Sequence, residues 1–161
     1  MCDYSLGGLK NRLAVDSEEL ITYRFSTRSM GLASPAELET AKAAEECARG
    51  GFWHRVKMFF DPTLTPEPPA VCVPPGANLI LKSVPADLQA EWGVGGEESV
   101  FFVQTSADVN RYRDALQFRN GRQVLLQDLR EGMRLVLISL GGDAASEEEH
   151  SLWVSMRMQL R

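Results

Sequence analysis

Residues 115–126 read ALQFRNGRQVLL, in which Asn120 and Gly121 stand between two short apolar segments. Asparagine and glycine both tolerate a positive φ, which the two central residues of a type I′ turn require. Such a pair between apolar segments is a strong local signal for two antiparallel strands. The stretch therefore predicts a β-hairpin closed by a type I′ turn at Asn120 and Gly121.

Other short strands are predicted on both sides of this hairpin. These segments are 78–84, 100–103, 133–140 and 152–160. In the last of them apolar and polar side chains alternate from Leu152 to Leu160, a period of two that is typical of a half-buried strand. Successive short strands joined by tight turns favour an antiparallel sheet. We therefore expect a small antiparallel β-barrel or curled sheet over residues 77–161.

Residues 1–60 predict a different kind of structure, an N-terminal hairpin followed by two helices. Residues 12–15 and 20–25 flank the turn-forming residues 16–19, which predicts that the two segments pair with each other. Apolar side chains recur at steps of three and four over residues 52–60, the spacing of an amphipathic helix. We therefore expect the hairpin to precede the helical part.

The first of the two helices has a clear predicted start. Ser34, Pro35 and Glu37 form a capping box with proline at the first helical position. The following residues are good helix formers, and glycines at 50 and 51 favour a stop. A further short helix is predicted over residues 85–92, where Gly93 favours its end.

A proline-rich connector is predicted over residues 61–76. Residues 61–69 read DPTLTPEPP and contain four of the chain's eight prolines. Each proline lacks an amide donor and disfavours helix in the residue before it, so the segment is expected to be stiff and extended. It separates residues 1–60 from residues 77–161 within what we expect to be one compact α+β domain.

The net charge bears on the class of binding partner, and the cysteine content bears on the cellular compartment. The formal net charge is −5, which works against broad binding to nucleic-acid phosphates or anionic membranes. No apolar run approaches the ~18 residues that a membrane span needs, and no secretory signal pattern is present. Three widely spaced cysteines do not suggest a secreted disulfide framework. We expect a soluble cytoplasmic protein with reduced thiols and no membrane span.

Cys2 is the first candidate site residue. If Met1 is removed, Cys2 carries a thiol and a free α-amine that titrate near ~8.5 and ~8, which places a nucleophile and a base on one residue. The Met-Cys start resembles that of N-terminal-nucleophile amidohydrolases and class II glutamine amidotransferases. In those families the terminal cysteine attacks an amide carbonyl and the terminal amine assists. The resemblance covers two residues, because those families usually continue with glycine whereas this chain continues with Asp3.

A metal site is a second candidate, formed by Cys2, His54 and Cys72. Thiolate and imidazole groups suit a transition metal such as zinc, copper or iron, and a terminal cysteine can chelate through sulfur and amine together. The three residues are far apart in sequence and lack the close spacing of a metal-binding motif. The set is therefore a hypothesis that depends on the fold.

A third candidate is a nucleic-acid surface around the predicted hairpin. Arginines with interleaved aromatic residues on a β-ribbon can bind phosphates and stack on bases. The four arginines are Arg111, Arg113, Arg119 and Arg122. The overall negative charge argues against nucleic acid as the partner.

No complete catalytic set is present in the sequence. There is no nucleophile elbow around a serine, and only two histidines could act as a base. We therefore expect a binding or interaction module whose partner is another protein or a second copy of this chain. The alternative is an enzyme or metal protein centred on Cys2.

Overall fold

The computed structural model describes residues 8–49, 67–108 and 111–141. Within these ranges the chain forms nine β-strands, two α-helices and one 3-10 turn. The strands are β1 (Asn11–Leu13), β2 (Glu19–Arg24), β3 (Met30–Ala33), β4 (Ala70–Cys72), β5 (Asn78–Lys82), β6 (Glu98–Gln104), β7 (Asp114–Phe118), β8 (Gln123–Leu125) and β9 (Arg134–Ser139). The helices are α1 (Pro35–Arg49) and α2 (Ala86–Trp92), and the 3-10 turn is Leu126–Asp128.

The hairpin predicted from residues 115–126 is confirmed as β7 and β8. Its turn differs from the predicted type, because Gly121 has a φ of 82° whereas Asn120 is outside the positive-φ region. The Gly121 amide donates to the carbonyl of Phe118 at 2.9 Å, and the Phe118 amide donates to the carbonyl of Arg122 at 2.8 Å. This is a three-residue loop with glycine at the bulge position, which needs only one positive φ.

The two described helices begin and end near the predicted boundaries. α1 begins at Pro35, and the Leu38 amide donates to the Ser34 carbonyl at 3.0 Å, which is the first bond of the helical ladder. α2 ends where Gly93 adopts a left-handed φ of 68°. Glycine adopts this conformation without the steric cost of a Cβ atom. The strands predicted at 78–84, 100–103 and 133–140 are likewise confirmed, as β5, β6 and β9.

Seven strands form one antiparallel sheet in the order β3-β2-β9-β5-β6-β7-β8. The sheet curls into a half barrel, so that the 3-10 turn after β8 reaches β3. There the Gln127 side chain accepts a hydrogen bond from the Met30 amide and donates one to the Met30 carbonyl, both at 2.9 Å. One side-chain amide therefore connects the two ends of the sheet. The fold is mixed α+β with a curled antiparallel sheet.

The concave face of the sheet contains the main hydrophobic core. Alternate residues of the central strands, such as Leu79, Leu116 and Leu135, are completely buried there. α2 packs against the same core, and the ring of Trp92 lies 5.7 Å from the ring of Phe118. A smaller cluster of Phe25, Ala33 and Ala70 is separate from it. Burial of this apolar surface is the main favourable term for the fold.

The predicted pairing of residues 12–15 with residues 20–25 is wrong. β1 pairs in parallel with β4, whereas β2 pairs with β3 and with β9. The turn between them does form, but the Leu137 amide of β9 donates to the Glu18 carbonyl at 2.9 Å, which carries β2 alongside β9. β9 buries two leucines and so offers β2 a more apolar neighbour than β1 does.

The curled sheet is not confined to residues 77–161. β2 and β3 come from residues 1–60 and belong to the same sheet as the later strands. The predicted connector over residues 61–76 also contains β4, which pairs with β1. Long-range strand pairing therefore joins segments that the prolines separate in sequence.

Two predicted elements lie outside the described residues, the helix over 52–60 and the strand over 152–160. Neither helix that the structure describes has the length and apolar character needed to cross a lipid bilayer.

Candidate interaction surface

Four large apolar side chains are exposed among the described residues. They are Leu13, Val15, Tyr112 and Ile138, with 69%, 61%, 49% and 46% of their surface accessible. Leu13 and Val15 adjoin one turn, and Ile138 lies between two residues whose amides bond to that turn. We call these three residues the turn patch. Scattered exposed apolar residues are ordinary in proteins, whereas grouped ones mark contact sites. The turn patch is therefore the candidate site.

The turn at the centre of this patch comprises residues 15–18. The Glu18 amide donates to the Val15 carbonyl at 3.1 Å, and Ser17 has a positive φ of 63°. The Asp16 carboxylate accepts the backbone amide of Leu140 at 3.2 Å. Together with the bond from Leu137 to Glu18, this contact attaches the turn to residues on both sides of Ile138 in the sequence.

Ala14 determines the direction in which its two neighbours point. It is buried in the main core, and its amide donates to the Cys72 carbonyl of β4 at 3.0 Å. Side chains alternate between the two faces of an extended chain. Leu13 and Val15 therefore both point to solvent because the residue between them is anchored inside.

Arg12 joins the turn to α1 through two carboxylates. Its Nε and Nη2 atoms donate to Glu37 at 2.8 and 2.9 Å, and its Nη1 donates to Glu18 at 3.1 Å with a second, shorter contact from Nη2. The Glu18 carboxylate also accepts the Val15 amide at 2.9 Å. Such fork-like pairs are charge-assisted and directional. Charge-assisted hydrogen bonds therefore connect the turn to α1.

The same contacts shift two pKa values. The hydrogen bonds from Arg12 hold the pKa of Glu18 below its ordinary value because they favour the charged carboxylate, while partial burial acts in the opposite direction. The hydrogen bonds to Glu18 and Glu37 raise the pKa of Arg12. Both shifts favour the charged forms of Arg12 and Glu18.

Side chains of β1 donate hydrogen bonds to backbone carbonyls along its outer edge. The Asn11 side chain donates to the Leu9 carbonyl at 3.2 Å, and Arg12 Nη1 donates to the Leu13 carbonyl at 3.1 Å. Capping of this kind makes an edge strand less available for pairing with another chain. Docking through the apolar side chains is therefore favoured over addition of a strand.

The predicted cysteine and metal residues are largely outside the described ranges. Cys2 and His54 fall there, so their predicted roles stay predictions. Cys72 is buried at the end of β4 and is disulfide-bonded. The expectation of reduced thiols is therefore wrong for Cys72. Across residues 8–49, 67–108 and 111–141, no group of three or more His, Cys, Asp or Glu residues could hold a metal ion.

The four predicted nucleic-acid residues are divided between the two ends of β7. Arg111 and Arg113 precede the strand, and Arg119 and Arg122 follow it, so roughly 15 Å of strand separates the pairs. Arg111 is exposed and lies 3.5 Å from Asp108. Arg113 is buried, whereas Arg122 donates to a backbone carbonyl of α2 at 2.7 Å.

The turn patch was not among the residues selected from the sequence. A usable signal was present, because Leu13 and Val15 flank a small apolar residue just before a polar turn. The contribution of Ile138 depends on the pairing of remote segments, which no local pattern contains.

Comparison of the chain with protein-family models, with curated proteins and with solved structures finds no match.

Proposed function

We propose that this protein is an interaction module that binds a protein partner through the turn patch. The observation that carries the proposal is that three exposed apolar residues belong to two segments that are bonded to each other. Leu13 and Val15 adjoin the turn at residues 15–18, and Ile138 lies between Leu137 and Leu140, which both bond to that turn. Burial of a leucine, valine or isoleucine side chain contributes about 1.5–3 kcal/mol relative to leaving it in water. Three such side chains together supply the apolar centre of a small interface.

The support beneath the patch favours binding. Arg12 connects the turn to α1, and Asp16 connects it to Leu140, just after β9. A surface that is ordered before binding loses less conformational entropy when a partner docks. The polar groups around the patch, including the carboxylates of Asp16 and Glu18, provide the polar rim that surrounds many apolar contact sites.

Protein is the favoured partner class over nucleic acid. The net charge is −5, and the predicted arginine surface is divided between the two ends of β7. The alternative metal site loses one of its three predicted ligands, because Cys72 is disulfide-bonded. The alternative of an enzyme centred on Cys2 stays a prediction, because Cys2 lies outside the described residues. That disulfide also argues against the proposed cytoplasmic location, since such bonds persist mainly in oxidising compartments.

Paired lysine substitutions test the proposal. The variant L13K/V15K places two charges in the turn patch, and Y112K is the matched control because it changes the exposed apolar residue outside the patch. We expect L13K/V15K to lose a bound protein that wild type and Y112K retain. Affinity purification from extract with quantitative mass spectrometry, together with sedimentation velocity, measures this loss.

The two measurements distinguish the kinds of partner. If the partner is a second copy, wild type and Y112K sediment as dimers and L13K/V15K sediments as a monomer. Equal thermal midpoints for the three proteins show that the substitutions act on binding rather than folding. The proposal is contradicted if all three sediment as monomers and retain the same set of proteins.

A further inference from the structure

The Asn120-Gly121 pair has a chemical consequence beyond its role as a turn. We infer that Asn120 is a deamidation site that the native contacts of the β7–β8 loop with α2 keep unreactive. When these contacts open, Asn120 becomes free to react. Its conversion to aspartate or isoaspartate then makes the contacts with α2 less favourable to re-form. The inference concerns modification of the chain and is independent of the turn patch.

The reaction needs only the chain and water. The backbone nitrogen of Gly121 loses its proton and attacks Cγ of Asn120, the bond from Cγ to the side-chain nitrogen breaks, and that nitrogen takes up a proton and leaves as ammonia. The resulting five-membered succinimide is opened by water to give aspartate or isoaspartate. Glycine after asparagine favours the attack because it has no Cβ atom to hinder closure of the ring.

Only one asparagine of this chain has glycine after it. The other three, at positions 11, 78 and 110, precede arginine, leucine and arginine. Their bulkier neighbours hinder the same ring closure. The chain therefore contains its own internal controls for reactivity.

The native structure restrains both reacting groups. The nucleophile is restrained because the Gly121 amide donates to the Phe118 carbonyl at 2.9 Å. The electrophile is restrained because the Asn120 Nδ2 atom donates to the carbonyls of Trp92 and Gly93 at 2.9 and 3.2 Å. Asn120 Oδ1 in addition accepts the Arg122 amide at 3.0 Å. Ring closure requires rotation about bonds that these contacts hold fixed.

Conversion of Asn120 reverses the chemistry of the contact with α2. A carboxylate has no hydrogen to donate, so its oxygen would face the carbonyl oxygens of Trp92 and Gly93. Its negative charge would also lie at the C-terminal end of a helix, where the helix dipole disfavours anions. Isoaspartate adds a backbone methylene to the turn as well. Each product therefore weakens the packing of Trp92 against Phe118 across this junction.

Peptide mapping of aged protein tests the first half of the inference. Full-length protein is incubated at mildly alkaline pH in buffer and, in parallel, in urea sufficient to unfold it. We expect the peptide with Asn120 to deamidate at least about tenfold faster in urea, the factor that an opening free energy of about 1.4 kcal/mol gives. Peptides with Asn11 and Asn78 are expected to change little in either condition. Equal rates at Asn120 in the two conditions would overturn the inference.

Substitution tests the second half. N120D carries the product carboxylate, and N120A removes the donor without adding charge. We expect N120D to have the lower urea midpoint of the two at neutral pH, and both to lie below wild type. Hydrogen exchange of the α2 amides shows whether N120D loses stability at α2. It also distinguishes the variants if their urea midpoints are too close to separate. Wild-type stability and wild-type exchange in N120D would contradict the proposed consequence.

Discussion

At the residue scale, Arg12 orders the turn patch by joining three segments that are separate in sequence. It bonds to Glu18 of the turn and to Glu37 of α1 while its own backbone pairs in β1. The Glu37 that the capping-box pattern assigned to the start of α1 thus binds a remote arginine. The start of α1 at Pro35 could be predicted from the sequence, whereas the bonding of Glu37 to Arg12 depends on a long-range contact.

The pKa of Glu18 leads to a prediction about acid stability. Because the folded-state pKa is lowered from its ordinary value of 4.5, the Arg12 contact contributes stability above that value. The contribution is lost as pH falls through the folded-state pKa. We expect E18Q to be about 1 kcal/mol less stable than wild type near pH 7 and to approach wild type in acid. Urea unfolding across this pH range measures the difference.

A second glutamate variant controls for the loss of one negative charge. E39Q neutralises an exposed glutamate of α1 whose partner is Lys42. We expect its stability to differ little from wild type at any pH, since exposed pairs contribute about 0–1 kcal/mol. A constant deficit of E18Q from neutral to acid pH would show that the Arg12 contact is not the cause.

Cys72 makes a second prediction at this scale. The chain has three cysteines, so the partner in the disulfide is Cys2 or Cys47. We expect a non-reduced digest to contain the Cys72 peptide linked to one of these, and iodoacetamide to label only the remaining thiol. A sulfur in a disulfide is not the thiolate that metals bind. Labelling of all three thiols in unreduced, unfolded protein would contradict the disulfide and reopen the metal hypothesis.

At the element scale, the sequence predicted those strands, turns and helix ends that depend on residues close to one another in the chain. The β7–β8 hairpin, the start of α1 at Pro35 and the end of α2 at Gly93 all depend on residues close in sequence. The turn type at Asn120 could not be predicted in the same way. Its side chain contacts α2, and this contact is compatible with a loop in which only Gly121 has a positive φ.

The pairing of β1 shows where local signals end. Residues 12–15 and 20–25 match a hairpin pattern, yet β1 pairs with a strand almost sixty residues later. The observed pairing buries two leucines of β9 and buries Ala14 beside β4. These are properties of the assembled sheet, so a window of the sequence does not contain them.

Gln127 provides a prediction about how the sheet is connected. Its amide satisfies both backbone polar groups of Met30, whose side chain is buried. Q127L keeps much of the side-chain volume but leaves these groups without the amide, which costs about 1–3 kcal/mol. We expect a lower urea midpoint for Q127L and little change for Q123L, which alters an exposed glutamine of β8. Equal midpoints would show that Gln127 does not connect the edges.

At the scale of the whole molecule, the candidate site arises from the curl of the sheet. Leu13 and Val15 lie more than 120 residues from Ile138 in sequence, and the pairing of β2 with β9 brings their surroundings together. The α+β class and the curled antiparallel sheet could be predicted from strand spacing and turn residues. The turn patch could not, because exposure of an apolar side chain depends on which neighbours cover it.

Site-specific photo-cross-linking can show whether the turn patch contacts a protein partner. A photoreactive amino acid is placed at Leu13 in one protein and at Tyr112 in a control, and each is irradiated in living cells. We expect a discrete cross-linked product, with either another protein or a second copy of this chain, from position 13 and not from position 112. Absence of a cross-link at position 13, or the same products from both positions, would contradict it.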